Sequence, residues 1–414
     1  MKPATIILIA ILMVPFSYAI TFGYSRLTIE RTWTIEDPNN STFEFNGTLV
    51  ANNSNQHVIF ISTEPVMDQY AADDGTIRLH YKGKVQGGRT VLKAKAIVNV
   101  DYNTNISSDV PLSEQQLNYT NLTEPDQAIS LQAWSLAKDN SSITTIRDLV
   151  NWVHSNVEYD LGYWGQSKSA RDVFVERRGV CVEYTHLLIS MARSLGFDTR
   201  YVSGYVQGDA WQPHAWAEIY LPGYGWLPAD ATFGQAGILD SSHLTIHYGQ
   251  DQSDVYDIVA VQNPEASIDV SDDVDAEFFS EDLEGVSISM ETEEDSYVAD
   301  VTLHNPGSDH VLGAFVFTIP EGYGGSQSSV VLLRPNETVH VFRGLNHSLI
   351  QAGYSYEIPI SASFNDARAE TVLSVNPDNG WGDETPGTAA PASPCSAAIL
   401  LAMVPAALLL RRFS

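Results

Sequence analysis

RRGVCVEYTHLLISMARSLG, residues 177–196, decides how this chain folds. Tyr184, Leu187, Leu188, Met191 and Leu195 recur at helical spacing and Gly196 follows as a stop signal, so a helix begins near Cys181. Upstream, Ala170 to Arg177 suits a short helix, with Gly179 placed for its closing turn. Ile143, Ile146, Leu149, Val150, Val153 and Val157 form another helical stripe, with Asn140, Ser141 or Ser142 as its N-cap. Downstream, TRYVSGYV (199–206), HAWAEIYL (214–221) and GWLPADAT (225–232) alternate as strands do, and Pro222-Gly223-Tyr224-Gly225 marks a turn between the last two. Helices followed by an antiparallel sheet indicate an α+β core, not a doubly wound parallel sheet.

The flanks read as β-structure. HVIFIST (57–63), TIRLHYKGKV (76–85) and TVLKAKAIVNVDY (90–102) are rich in β-branched and aromatic residues, and Ala94, Ala96, Val98, Val100 and Tyr102 share one face. Residues 20–120 therefore read as a β-sandwich-like domain, and 121–262 as the central unit. SDDVDAEFFSEDLEG (271–285) reads as an acidic, solvated connection without a calcium-loop pattern. The short strands that follow, from VSISMET to AETVLSV, make 263–376 a second sandwich of immunoglobulin-like type. A stalk rich in Pro, Gly and Ala spans 377–396.

Both ends carry membrane signals. Lys2, the apolar run Ala4 to Phe16 and the small-residue site at Ser17-Tyr18-Ala19 read as a signal peptide over residues 1–19. Residues 397–410 are apolar and Arg411-Arg412 follow at once, which predicts a transmembrane or sorting helix with the body outside the cell and the basic end 411–414 inside. The ten N-x-S/T acceptors agree with export, and eight of them precede residue 150, on an exposed first domain. The predicted location is the cell membrane, with the body on its extracellular face.

The chain carries 22 Lys and Arg against 51 Asp and Glu, a formal charge of -29, which argues against nucleic acid as a partner. Two cysteines, Cys181 and Cys395, make no disulfide framework.

A Cys, a His and an Asp follow in order as Cys181, His214 and Asp230. A thiol becomes a strong nucleophile as thiolate, a form favoured at a helix N-terminus and beside an imidazolium. Cys181 stands at such an N-terminus, where unpaired N–H groups can also donate to an oxyanion. His214 is the candidate base, and Asp230 the group that orients it. A tight hairpin centred on Gly223-Tyr224 pairs His214 with Phe233, so a bulge or a wider turn is needed to reach Asp230. Glu183, Glu218 and His186 read as satisfied polar neighbours. Trp211, Trp216 and Trp226 read as groove or core. His243 and His247 stand at i, i+4 with no flanking metal motif.

GVCVEYTHLLISMARSLGFDTRYVSGYV and PHAWAEIYLPGYGWLPADAT together resemble the transglutaminase-like superfamily of papain-like cysteine enzymes. The resemblance covers roughly Arg171 to Phe233. It implies Cys181 as nucleophile, His214 as base and Asp230 as orienter, with Asp-Ala-Thr standing where Asp-Pro-Thr is common. Trp164 and Gln166 are candidates for an oxyanion-stabilising side chain, beside the Cys181 N–H. It also implies a papain-like α+β core between two sandwiches. The expected function is acyl transfer from protein or peptide amides through a thioester, by a peptidase, amidase or transglutaminase, with no cofactor or metal. The alternative is a non-catalytic adhesive or structural surface protein that uses the fold as a binding module.

Overall fold

The computed structural model describes residues 23–376, apart from 103–105, 113–116, 118, 139, 280–285, 293–296 and 353. The signal segment 1–19, the stalk, the apolar segment 397–410 and Cys395 lie outside the described residues. Among those described, no helix is long and apolar enough to cross a membrane.

The chain opens with β1 (Tyr24–Glu36), β2 (Thr42–Ala51), β3 (Gln56–Glu64), β4 (Asp68–Ala71), β5 (Thr76–Lys84) and β6 (Arg89–Asp101). The central unit follows with α1 (Gln127–Leu136), α2 (Ser142–Asn156), β7 (Glu158–Tyr159), α3 (Ala170–Glu176), β8 (Arg178–Gly179) and α4 (Cys181–Ser194). Its sheet contains β9 (Thr199–Gln207), β10 (Trp211–Leu221), β11 (Gly225–Asp230), β12 (Gln235–Ala236) and β13 (Leu244–Gly249), in the order β12-β11-β10-β9-β13. Every pairing in it is antiparallel, as the α+β reading requires.

Helix α4 is the centre of this unit. It is buried on nearly every side, not only along the predicted stripe, because Thr185, His186, Ile189 and Ser190 are covered as well. Leu187, Leu188 and Met191 share a core with Ala215, Ala217 and Ile219 of β10 and with Ile146, Leu149 and Val150 of α2. Ser141 is the N-cap of α2, its side chain accepting from the Thr144 N–H. The opposite face of the sheet, with Val202 and Trp216, joins the core of the first sandwich around Trp33 and Phe45.

That sandwich contains more chain than expected. After the central unit, β14 (Ile258–Val261) pairs with β2, and β15 (Ser267–Phe279) pairs with β1 from end to end. The two sheets run β15-β1-β6-β3 and β14-β2-β5-β4. The acidic stretch expected to be a solvated connection is therefore, through Phe279, an edge strand. Ile268, Val270, Val274 and Ala276 alternate inward while Asp269, Asp273, Asp275 and Glu277 point outward, a charge pattern that protects an exposed sheet edge. Arg31 fastens the returning chain: its Nε donates to Asp272 (2.9 Å), its Nη2 lies 3.3 Å from Asp257, and its Nη1 donates to the Thr48 carbonyl.

The remaining strands are β16 (Ser287–Thr292), β17 (Val298–His304), β18 (Val311–Thr318), β19 (Ser326–Leu333), β20 (Thr338–Gly344), β21 (Tyr356–Phe364) and β22 (Ala367–Val375). They form sheets β16-β17-β20 and β19-β18-β21-β22 around Val301, Phe315, Phe317, Ile360 and Leu373. The run SVVLLRPNETVHVF divides at Arg334-Pro335 into two strands, one in each sheet.

Arg31→Ala leaves two nearly buried carboxylates without their cation. It is expected to destabilise the protein by about 3–5 kcal/mol, measured by denaturant unfolding. A change within ±0.5 kcal/mol, the range of ordinary surface substitutions, contradicts the role given to this cluster.

Candidate active site

Cys181 is the first residue of α4 and is almost fully buried. The turn before it differs in detail from the sequence reading. Helix α3 is closed by Arg177, in the left-handed region at φ 56, and not by Gly179. Gly179 instead makes room for Glu183: a Cβ at position 179 would lie 2.2 Å from the Glu183 Cβ. Glu183 thereby folds back to accept from the Val180 N–H (3.0 Å) and the Lys168 N–H (3.0 Å), which ties down the start of α4. Gly179→Ala is expected to destabilise by about 1–3 kcal/mol through this overlap alone, read by denaturant unfolding. Unchanged stability contradicts the assignment.

Cys181 acts on His214 side chain to side chain and raises its basicity, and the His214 Nε2–H donates to Asp230 Oδ2 at 2.7 Å. The three predicted residues are thus brought together. No bulge is needed. The β10–β11 hairpin pairs Leu221 with Gly225 and Ala217 with Ala229, so its loop holds three residues and the register moves by one from the expected pairing. Carried one step further, that register sets Asp230 opposite Trp216, with His214 its diagonal neighbour on the same face, within reach of long side chains. His214 is also held flat, stacked on Phe233 at 4.8 Å and 14°.

His243 is a site residue that the sequence reading missed. Its Nε2–H donates to the same Asp230 Oδ2 at 3.1 Å, and its Nδ1 faces the Asp240 carbonyl at 3.1 Å and Asp240 Oδ1 at 3.3 Å. The other Asp230 oxygen accepts from the N–H groups of Thr232 (2.7 Å) and Phe233 (3.2 Å). Burial alone would raise the Asp230 carboxyl, but His214 and His243 hold it well below the usual carboxylate range. Burial likewise opposes charge on His214, and the Asp230 carboxylate, then Cys181, outweigh it and raise it to about 10. For His243 the same contest, won by Asp240 and Asp230, ends at about 9.

One ligand-type atom each from His214, Asp230 and His243 lies within 4.8 Å of the others. Each of those atoms also takes part in a hydrogen bond within the group, which makes it a proton-bridged ion cluster. His247 stands apart from it, pushed down to about 4 by burial and by Arg78.

The neighbouring groups are structural. His186 lies between the Lys168 carbonyl and the Gln252 N–H, and burial lowers its basicity. Glu218 is satisfied by Arg200 at 2.6 Å. Trp216 is core, edge-on to His243 at 5.1 Å. Of the two candidate oxyanion side chains, Trp164 is exposed and the Gln166 amide donates to the Gly162 carbonyl.

Part of the chain is similar to known proteins. Residues 131–231 match the family model of the transglutaminase-like superfamily. The central unit is a transglutaminase-like domain. Its relatives include an uncharacterized protein of Mycobacterium tuberculosis H37Rv, 29% identical over 150 residues, which cover 32% of this chain and 47% of that protein. An uncharacterized protein of Mycobacterium leprae is 25% identical over 166 residues, 38% of this chain and 58% of that one. The chain thus spans about half the length of the curated relatives it matches. Among solved structures, a candidate cysteine protease from Cytophaga hutchinsonii aligns at a TM-score of 0.46 with 22% identity, covering 63% of this chain and 92% of that one. Red sea bream transglutaminase aligns at 0.23 with 11% identity, over 82% and 78%.

The ion cluster has a pH signature. Both histidines hold protons more tightly folded than unfolded, so their stabilisation is complete below pH ~6.5 and is lost as pH rises through about 9 and 10. Asp230 acts the opposite way: its stabilisation is present above pH ~3.9 and is lost in acid. The lead of wild type over Asp230→Asn in thermal midpoint is therefore expected to be widest between about pH 4 and 6.5 and to shrink toward pH 10. A lead that stays constant from about pH 6 to 10 contradicts the cluster.

Proposed function

We propose that this protein is an acyl-transfer enzyme of the cysteine type, acting on amide groups of proteins or peptides, with Cys181, His214 and Asp230 as its catalytic residues. One observation carries the reading. A cysteine at the first position of a buried helix acts side chain to side chain on a histidine, whose Nε2 donates to a buried carboxylate.

His214 holds the proton given up by the Cys181 thiol, and the sulfur attacks the amide carbonyl carbon. The tetrahedral oxyanion that forms lies near the first turn of α4, whose N–H groups lack intrahelical partners. His214 then gives its proton to the departing nitrogen, the C–N bond breaks, and a thioester remains on Cys181 with ammonia or an amine released. Water attacks the thioester to give an acid, or a primary amine attacks it to give a new amide, and Cys181 recovers its proton. Asp230 keeps the imidazole in the tautomer that presents Nδ1 to sulfur. The residues supply every proton transfer themselves.

The sequence supports an exported protein held at the cell surface, through residues 1–19 and 397–412. The substrate is then an extracellular or envelope protein.

Cys181→Ala is expected to abolish turnover while keeping the fold, since a small buried group replaces the thiol. A glutamyl peptide offered with a labelled amine reads both products of the thioester: incorporated label reports transfer, and free acid or new peptide ends report hydrolysis. Turnover retained in Cys181→Ala refutes covalent catalysis. A thiol no more reactive toward iodoacetamide than free cysteine leaves only the adhesive or structural role.

A further inference from the structure

We propose that His243 is a positioning residue that keeps a fixed positive charge behind Asp230 and thereby sets how tightly His214 holds its proton. The inference rests on the catalytic reading above and adds a residue to it. His243 lies beyond residues 131–231, the segment that the family model covers.

The geometry carries it. Both ring nitrogens of His243 face groups that only accept: Asp230 Oδ2 at 3.1 Å, and the Asp240 carbonyl and carboxylate at 3.1 and 3.3 Å. A neutral imidazole would aim a lone pair at one of these acceptors, at zero exposure to water. Only the imidazolium satisfies both sides, and its raised basicity agrees.

The charged and titratable groups around it are few. Asp240 comes from its own segment, Asp230 from β11 and His214 from β10, its ring centre 5.8 Å away, while from β6 the Tyr102 hydroxyl donates to the His243 carbonyl. Trp216 and Phe233 close the remaining sides with their rings. Asp240 is itself braced by the Gln235 amide at 2.9 Å and by the Ser242 N–H at 3.1 Å.

Two positive rings therefore share one carboxylate oxygen. His243 draws on the acceptor that raises His214 and repels the charge on His214 directly. It restrains the basicity of the catalytic base, so that the proton taken from the thiol can still be passed to the leaving nitrogen.

The test needs no knowledge of the substrate. Iodoacetate is anionic, so its reaction with a thiolate is favoured by an adjacent imidazolium and slows when that imidazolium loses its proton. Alkylation of the Cys181 peptide in the full chain, followed by mass spectrometry across pH, should give a bell. Removing a nearby positive charge makes every group around it hold protons more tightly. His243→Gln, which keeps a donor toward Asp230 but no charge, is expected to move both limbs of the bell to higher pH by roughly 0.5–2 units, the span from water-like to interior screening of a unit charge at 5.8 Å.

His243→Asn removes the same charge and is expected to shift the bell in the same direction. It carries the test alone if His243→Gln does not fold. A variant bell lowered in height but unmoved on the pH axis overturns the inference and leaves the catalytic reading standing. A wild-type Cys181 that shows no bell and reacts as a free thiol overturns both.

Discussion

A single buried carboxylate organises this molecule. Asp230 has no exposure to water, so its charge survives only if protein donors replace the solvent. Four do so: His214 and His243 on one oxygen, and the N–H groups of Thr232 and Phe233 on the other. Each donor must be brought to one point. The turn at 230–233, the pitch of β10 against β11 and the approach of the 240–243 segment are thus parts of one electrostatic constraint.

The sandwiches help to meet that constraint. The segment carrying His243 is pinned by the first sandwich: Ser25 donates to the Ser241 carbonyl, Tyr102 to the His243 carbonyl, and the Gln56 amide exchanges two hydrogen bonds with the Thr245 backbone. The loop after Asp230 is held from the other side. Ser328 of β19 donates to the Phe233 carbonyl, while His154 donates to the Ala231 carbonyl and lies 3.1 Å from Ser328. Asn151 of α2 exchanges two hydrogen bonds with the Val330 backbone, which fastens the second sandwich to the same region. Preorganisation of a side-chain cluster requires supporting contacts of this kind, because loops alone do not hold side chains to fractions of an ångström.

The electrostatics follow from the same arrangement. With Asp230 paired to one histidine only, its whole field would fall on His214. Two imidazolium rings on one oxygen divide that field, and Asp240 compensates the second ring. The cluster thus balances two cations against two anions in the interior, an arrangement in which loss of one member leaves an uncompensated charge.

Local pattern carried much of this. The start of α4 at Cys181, the stripe and cap of α2, the alternation of β10 and the Gly-containing turn at 222–225 involve neighbours within a few residues, so Cys181, His214 and Asp230 were legible in order. The hairpin register was not, because composition does not distinguish a two-residue from a three-residue loop, and one residue changes every cross-strand partner. The strand at 267–279 hid behind its acidity, since outward Asp and Glu mask an inward apolar period of two. His243 was invisible as a site residue for a stronger reason. Its place depends on Ser25, Gln56 and Tyr102, more than 140 positions away along the chain. Sequence determined which side chains could do thiol chemistry; only tertiary packing decided which buried charges they share, because desolvation and hydrogen-bond satisfaction arise when distant segments close over the same carboxylate.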